Sequence, residues 1–247
     1  MYDTSNGATI AVPGKSNIER TIFVSAEHPN YNPDYAKYIE HSVLKPTTTI
    51  ADVKRFCDEA MEYHFAAVAV TPYNVPIAYE FLKGSDVIVD GAVGFPLGSS
   101  TTLMKVSESV ECIKNGAAEV DMVINIAALK DKRYDYVERE IKEFVKESSP
   151  WAGTKVILET YLLTEEEKVI VCKMAMEAGA DYVKTCTGFN GGCATVEDIA
   201  LMKSVVGDVC KVKASTGVND RAIADALIKA GAVRLGTSKG IKIVNGD

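Results

Sequence analysis

The chain contains no run of about 18 consecutive apolar residues, the length that a helix needs to cross the hydrocarbon core of a membrane. Its first residues show neither the basic start and apolar centre of a secretory signal nor the arginine enrichment of a transit peptide. These absences predict a cytoplasmic protein with no membrane partner.

Basic runs are also missing. The chain has 27 lysines and arginines against 34 aspartates and glutamates, a net charge of −7. Nucleic-acid surfaces need clustered positive charge, so this composition argues against a nucleic-acid partner. An anionic small molecule would need a local positive site against this acidic background.

The patterns that usually hold metals or disulfides are absent as well. None of the six cysteines pairs at the Cys-x-x-Cys spacing, and the three histidines lie in unrelated segments. A free cysteine in an apolar run behaves as a small hydrophobic residue. We therefore expect reduced thiols in an intracellular compartment and no metal site.

What the chain does have is a repeated pattern of short apolar run, turn and helical stretch, beginning at residue 38. With 247 residues, 47% of them hydrophobic, it can build a large core. Eight such units within about 210 residues favour a (β/α)8 TIM barrel, an α/β fold, over an open sheet. The predicted strands are 38–44, 66–71, 87–94, 119–126, 155–160, 181–186, 210–215 and 232–236. The predicted helices are 49–64, 75–84, 101–116, 133–148, 164–179, 195–206 and 219–231, with a short closing helix at 241–244.

Residues 1–37 lack this periodicity and contain turn-forming residues around 13–14, 28–30 and 32–34. We interpret them as a partly ordered N-terminal arm, in which 18–24 could dock on the rest. Residues 38–247 show no linker or change of composition, so we predict one barrel domain there.

Two lysines lie within strand-like runs of the C-terminal half, Lys184 and Lys213. Lysine is depleted in strands and rarely buried without a partner. At about 4 Å and an effective dielectric near 20, two ammoniums repel by roughly 4 kcal/mol. That repulsion would lower a lysine pKa by about three units and make it a nucleophile toward carbonyls. The alternative is that each lysine only extends to water from a strand end.

Two carboxylates raise a similar question. Asp121 lies in an alternating run in which it shares a face with Asn125, and Glu159 lies at the end of the fifth predicted strand. Either could act as a general acid or base inside the barrel, or could be the ion-pair partner of an inward lysine.

Glycine-containing loops follow the last three strands, at 187–192, 216–217 and 236–240. Barrels commonly hold phosphate at the loops after strands seven and eight, through backbone N–H groups. Ordinary glycine turns would explain each loop equally well when it is taken alone.

The alternation of side chains along strands leads to one further expectation. If the residues named above face inward, so do Glu119, Lys155, Lys211 and Arg234. Buried charges are costly unless paired. We therefore predict an ionic layer beneath the site that joins Glu119 or Glu159 to at least one of these cations, with Lys211 as its weakest member.

Several motifs resemble the deoxyribose-phosphate aldolase family over roughly residues 38–244. Residues 39–46 resemble the family's Asp-His-Thr-x-Leu-Lys-Pro, and 119–130 its Glu-Ile-Asp-Met-Val-Ile-Asn-Ile-Gly-Ala-Leu-Lys pattern. Segments 93–98, 178–202, 213–215 and 234–238 complete the set. The resemblance implies reversible cleavage of 2-deoxy-D-ribose 5-phosphate to D-glyceraldehyde 3-phosphate and acetaldehyde, without metal or cofactor.

The resemblance also implies roles for individual residues. Lys184 would form a Schiff base, Lys213 would lower its pKa and share in proton transfer, and Asp121 would be the acid/base. The implied phosphate and substrate contacts are Gly188, Thr216, Gly217, Gly236, Thr237, Ser238, Ser42 and Thr187. We also expect a homo-oligomer, with a dimer preferred. The alternatives are another phosphosugar-binding (β/α)8 lyase or isomerase, or a silent phosphosugar-binding protein.

The chain departs from the family pattern at several positions. Glu40 replaces an aspartate, Ser42 replaces a threonine, and Thr216 replaces a glycine. Phe189 stands where some members have a lysine, and the C-terminal tyrosine of some members is missing. Thr216 would either crowd the backbone at the phosphate or add a hydroxyl donor.

Overall fold

The computed structural model describes residues 35–246. Its eight parallel strands close into one barrel in sequence order, with the first strand bonded to the last. The strands are β1 Ile39–Val43, β2 Ala67–Val70, β3 Ile88–Val93, β4 Ala117–Val123, β5 Gly153–Ile157, β6 Tyr182–Lys184, β7 Lys211–Ser215 and β8 Ala232–Thr237. The predicted TIM barrel is therefore confirmed.

Helices connect successive strands and surround the barrel. They are α1 Ile50–Glu62, α2 Val75–Leu82, α3 Thr102–Lys114, α4 Ile126–Lys130, α5 Tyr134–Ser148, α6 Glu165–Ala178, α7 Val196–Val206, α8 Arg221–Ala230 and α9 Gly240–Asn245. Short 3₁₀ turns lie at Ala36–Tyr38, Pro72–Asn74 and Thr160–Leu162. No helix within 35–246 is both long and apolar enough to cross a bilayer.

Local sequence signals explain where several helices begin and end. Thr164 caps α6 by accepting the N–H of Glu167, whose carboxylate accepts the Thr164 N–H in return. Gly179 ends the same helix in the left-handed conformation, which costs glycine little. The sequence prediction missed α4, whose start is fixed by the Asn125 side chain accepting the Ala128 N–H.

The strands β4 and β5 each end three residues earlier than predicted, and the cause is visible at the end of β5. The predicted strand ran to residue 160, but β5 ends at Ile157 and Glu159 has φ 60°. A left-handed residue cannot continue a strand. Glu159 therefore leaves the barrel wall and does not face inward with Lys155.

Alternate strand positions separate an apolar outer layer from a charged interior. Outward valines such as Val120, Val156 and Val183 are buried among the helices. Each contributes roughly 1.5–3 kcal/mol relative to an exposed position. Inward positions on the same strands carry Asp121, Lys155 and Lys184. The helices thus stabilise a wall whose inner side is free for charged groups.

The last residues of the predicted arm contact the barrel. The Tyr35 hydroxyl donates to Asp225 at 2.7 Å, and Lys37 pairs with Asp86 at 2.8 Å. The rest of the arm, including the predicted docking segment 18–24, lies outside the described residues.

Candidate active site

Three strands bring Asp121, Lys184 and Lys213 together inside the barrel. One carboxylate oxygen of Asp121, Oδ2, accepts a hydrogen bond from Lys184 Nζ at 2.7 Å and from Lys213 Nζ at 2.6 Å. Since both ammoniums bond one oxygen, their nitrogens lie within about twice a hydrogen-bond length of each other. The two lysines that the sequence singled out are thus direct electrostatic neighbours.

The two lysines respond to this shared carboxylate in opposite ways. Burial lowers the pKa of Lys184, Lys213 lowers it further, and Asp121 opposes both. Burial also disfavours the Lys213 charge, but Asp121, Asp90 and Glu40 outweigh it and raise the pKa of Lys213. Lys184 can therefore lose its proton while Lys213 keeps its own. Repulsion by a second ammonium, the cause expected from the sequence, lowers the pKa of Lys184 less than burial does.

Asp121 remains an anion in this setting. Burial would raise its pKa, but Lys155, Lys184 and Lys213 together hold it well below the usual range. Its second oxygen lies 2.8 Å from Lys155 Nζ. A carboxylate that binds three cations holds the Lys184 amine in place.

The predicted ionic layer is present beneath these groups. Glu119 lies 2.6 Å from Lys155 Nζ and 3.4 Å from an Arg234 nitrogen. Lys211 is half-buried, with its ammonium 5.7 Å from the centre of the Tyr182 ring. The prediction named Glu119 or Glu159, and Glu119 is the one that joins the layer. The backbone of Glu159 turns away after β5, and its carboxylate bonds Thr187 and Asn190 instead.

Two further carboxylates complete what we call the ionic cluster, and the sequence analysis gave neither a role in it. Glu40 on β1 pairs with Lys213 and lies 3.2 Å from Arg234, and Asp90 on β3 lies 3.1 Å from Lys213. The sequence does contain a signal for both residues, because each carboxylate lies within a strand-like run where a buried charge needs a partner. The ionic cluster consists of Glu40, Asp90, Glu119, Asp121, Lys155, Lys184, Lys213 and Arg234.

Oxygens of Glu40, Asp90 and Glu119 lie close enough to one another to hold a metal ion. Lys155 Nζ already lies among them, at 3.7, 3.2 and 2.6 Å respectively. Its pKa is raised well above the usual value because four surrounding carboxylates outweigh burial. The ammonium supplies the positive charge at this position.

Glu159 anchors the loop that follows β6. It is fully buried and accepts hydrogen bonds from the Thr187 N–H at 3.2 Å, from the Thr187 hydroxyl, and from Asn190 Nδ2 at 2.8 Å. Phe189 on the same loop packs edge-on against Phe95 of the loop after β3. The Thr187 hydroxyl therefore serves the loop, which carries Gly188 beside the site.

The loops after β6 and β7 meet at Thr216. A Cβ placed on Gly188 would lie 2.7 Å from Thr216 Oγ1, so the threonine hydroxyl directly overlies that glycine. Thr216 itself has φ 76°, which is a strained conformation for a β-branched residue. The next residue, Gly217, has φ 79°, and a Cβ there would collide with Cys193.

The loop after β8 adjoins the same place. The Thr216 N–H donates to the Gly236 carbonyl at 3.2 Å, and a Cβ on Gly236 would lie 2.4 Å from Ser215 Oγ. The Thr237 hydroxyl donates to the Val218 carbonyl at 2.7 Å, which joins the two loops, and Ser238 is exposed. Ser42 lies on β1, where its hydroxyl donates to the Glu40 carbonyl at 3.2 Å.

Comparison with known proteins places this geometry in a family. Residues 33–246 match the model of the DeoC/LacD family aldolases. A deoxyribose-phosphate aldolase of Halalkalibacterium halodurans is 54% identical over 213 residues, which is 86% of this chain and 95% of the relative. One of Thermococcus gammatolerans is 53% identical over 216 residues, covering 86% of this chain and 96% of the relative.

Solved structures of aldolases are also similar to this chain. An aldolase named QR15 matches with a TM-score of 0.82 and 42% identity, covering 87% of this chain and 96% of that one. A tetrameric deoxyribose phosphate aldolase of Aeropyrum pernix matches with a TM-score of 0.79 and 29% identity, covering 85% and 89% respectively. The family match, the relatives' identity and the buried lysine pair agree, and the chain belongs to the DeoC/LacD aldolase family.

Proposed function

We propose that this chain is a class I aldolase that reversibly cleaves 2-deoxy-D-ribose 5-phosphate to D-glyceraldehyde 3-phosphate and acetaldehyde. The observation that carries the proposal is the oxygen of Asp121 shared by Lys184 and Lys213. It leaves one buried amine able to become neutral beside a second that stays charged. The substrate follows from the deoxyribose-phosphate aldolases that this chain resembles at above 50% identity.

In this mechanism Lys184 is the nucleophile. Its neutral amine adds to the C1 aldehyde, and loss of water leaves a protonated imine. The C3 hydroxyl gives up its proton and C3 becomes the aldehyde carbon of D-glyceraldehyde 3-phosphate, which leaves as the C2–C3 bond breaks. The electron pair of that bond moves into the imine and forms an enamine on Lys184. Protonation at C2 and hydrolysis then release acetaldehyde and the free lysine. Asp121 and Lys213 hold and transfer the protons at Lys184, directly or through water.

The phosphate lies, in this proposal, among the loops after β6, β7 and β8. Backbone N–H groups near Gly188, Gly217 and Gly236 are the proposed donors to it. Thr216, Cys193 and Ser215 pack where a Cβ of these glycines would lie, so the absence of side chains lets the loops come together around the site. Thr216, Thr237 and Ser238 are the further contacts. Ser42 and Thr187 complete the proposed substrate site, with Thr187 acting through its Glu159-anchored loop.

The proposal covers the organisation of the protein as well. Residues 38–247 form the catalytic barrel and 1–37 an N-terminal arm. The cysteines within 35–246 are free thiols, which suits a reducing, cytoplasmic setting. We propose a homo-oligomer with a dimer preferred; the Aeropyrum pernix relative is a tetramer, and light scattering distinguishes the two.

The test is product formation combined with trapping. The wild-type protein is incubated with 2-deoxyribose 5-phosphate, and both aldehyde products are measured. A parallel sample with acetaldehyde is reduced by borohydride and mapped by mass spectrometry. We expect both products and a reduced adduct on Lys184. Turnover of a phosphosugar without any lysine adduct would instead favour an isomerase or another lyase that uses the lysines electrostatically.

A further inference from the structure

Asp90 and Asp121 bind the same two cations from neighbouring strands. Asp90 lies 3.1 Å from Lys213 Nζ and 3.2 Å from Lys155 Nζ. Asp121 lies 2.6 Å and 2.8 Å from the same nitrogens. Asp121 also contacts Lys184, which makes it the direct partner of the reacting amine. Asp90 therefore competes with Asp121 for Lys213, while the ion pair to Lys184 is made by Asp121.

The charge balance of the ionic cluster shows why a second carboxylate matters. Its four carboxylates face four cations when Lys184 is protonated. Once Lys184 is neutral, one negative charge is uncompensated in a buried place, which is costly. Protonation of one carboxylate removes this extra negative charge, and the carboxylate with the highest pKa is protonated first.

Asp90 has the properties of that carboxylate. It is 1% exposed. Burial, Asp121 and Glu40 raise its pKa to about 7 although Lys155 and Lys213 oppose them. Glu40 and Asp121 differ, because their surrounding cations outweigh burial and lower the pKa of both.

We propose that Asp90 is a positioning residue for the reacting amine: it holds Lys213 and Lys155 against the pull of Asp121 and sets the net charge that Lys184 experiences. The inference rests on the proposed function, in which Lys184 reacts as a neutral amine. The charged or titratable groups that act on or respond to Asp90 are Glu40, Cys112, Glu119, Asp121, Lys155, Lys184, Lys213 and Arg234.

The negative charge of Asp90 determines in which direction its removal shifts the pKa of Lys184. The Asp90 carboxylate favours the protonated form of Lys184. Removing it makes Lys184 lose its proton more easily, while Lys213 stays charged beside Asp121 and Glu40. Asp90→Asn should therefore shift the acidic limb of the kcat/KM profile to lower pH, by about one unit.

The experiment compares this profile in wild type, Asp90→Asn and Asp90→Ser, the last leaving room for water beside both lysines. Glu140→Gln is the matched control, because Glu140 is also fully buried and lies 2.9 Å from a lysine, but outside the barrel. We expect the acidic limb to move down in both Asp90 variants and to stay in place in the control. An unchanged limb, or a shift to higher pH, in a folded Asp90 variant would overturn the proposal.

Two further readouts separate the possible failures. Borohydride trapping of acetaldehyde on wild-type Lys184 tests the proposed function itself, so its failure does not concern Asp90. If neither Asp90 variant folds, infrared difference spectra of Glu140→Gln decide, because this variant lacks the other buried carboxyl with a raised pKa. The carbonyl band of a protonated buried carboxyl should rise as pH falls through about 7, and its absence would contradict the proposal.

Discussion

Within residues 35–246, Lys105 and Lys184 are both buried with lowered pKa values, and the surroundings of Lys184 are those that fit the proposed nucleophile. Lys184 lies inside the barrel, where its carboxylate Asp121 is shared with two more ammoniums. Lys105 lies outside the barrel wall, between α3, β4 and α5, with Glu140 at 2.9 Å. Burial lowers the pKa of both lysines. Burial alone therefore does not identify the reacting amine.

The difference lies in how each ammonium is compensated. Lys105 also donates to the Val123 carbonyl at 2.8 Å, and Glu140 accepts the Asn125 N–H at 2.9 Å. These bonds join α3 and α5 to the end of β4. Lys184 instead lies beneath the loops of the proposed substrate site, and Lys213 competes for its carboxylate. Lys105 thus has a carboxylate of its own, whereas Lys184 depends on a carboxylate that is also bound by two ammoniums with raised pKa values.

The largest expected effect is the loss of activity in Lys184→Ala. The variant removes the amine that condenses with the aldehyde, so cleavage should be abolished while the circular dichroism spectrum and oligomeric state are kept. Product formation is measured at high enzyme concentration. Substantial turnover by this variant would remove Lys184 from the mechanism.

Lys105→Met should give the opposite pattern. Leaving Glu140 buried without its cation should cost about 3–5 kcal/mol of unfolding free energy, read from urea denaturation. The folded fraction should keep kcat/KM within a few-fold of wild type. The double variant Lys105→Met/Glu140→Met is the control and should recover much of the stability, because no unpaired charge remains. Abolished activity in folded Lys105→Met would contradict a purely structural role for Lys105.

Lys213→Leu should move the acidic limb of the pH profile to higher pH, the reverse of the shift for Asp90→Asn. The Lys213 charge favours the neutral form of Lys184, so removing it raises the pKa of that amine. Lys211→Leu, two residues away on the same strand, is the control and should leave the limb near its wild-type position. Identical profiles for wild type and Lys213→Leu would mean that the two ammoniums do not interact.

The smallest effect concerns Thr216. Thr216→Gly should stabilise the protein by about 1 kcal/mol, because relief of left-handed strain exceeds the entropy cost of glycine. Thr216→Val keeps the strain and removes the hydroxyl. If that hydroxyl contacts phosphate, Thr216→Val should raise KM for 2-deoxyribose 5-phosphate and leave the activity toward unphosphorylated deoxyribose unchanged. Equal KM values for both variants and wild type would exclude the contact.

Much of the fold was predictable because its signals are local. The alternation of apolar runs with helical periodicity located all eight strands of the closed barrel. The short helix α4 was not predicted, because five residues are too few to show the periodicity of apolar residues that marks a helix. The end of β5 was misplaced because the left-handed backbone of Glu159, whose side chain bonds Thr187 and Asn190 far along the chain, leaves no signal in the local pattern.

The site was predictable where strand alternation decides which way a side chain points. This alternation placed Asp121, Lys184, Lys213 and Glu119 inside the barrel, and each has its ion-pair partner there. The alternation does not give the distances between side chains on strands that are far apart in sequence. The competition of Asp90 with Asp121 for Lys213 depends on closure of the barrel, so it required the structure.

The most direct test of the central claim is pH-resolved reductive labelling of the wild-type protein with acetaldehyde and borohydride, with every lysine quantified by peptide mass. We expect Lys184 to be labelled first, with its half-maximum below the ordinary lysine pKa of about 10.4, while Lys105 stays unlabelled until the protein unfolds. Labelling of Lys184 that follows the exposed lysines, or labelling of Lys105 in the folded protein, would contradict it.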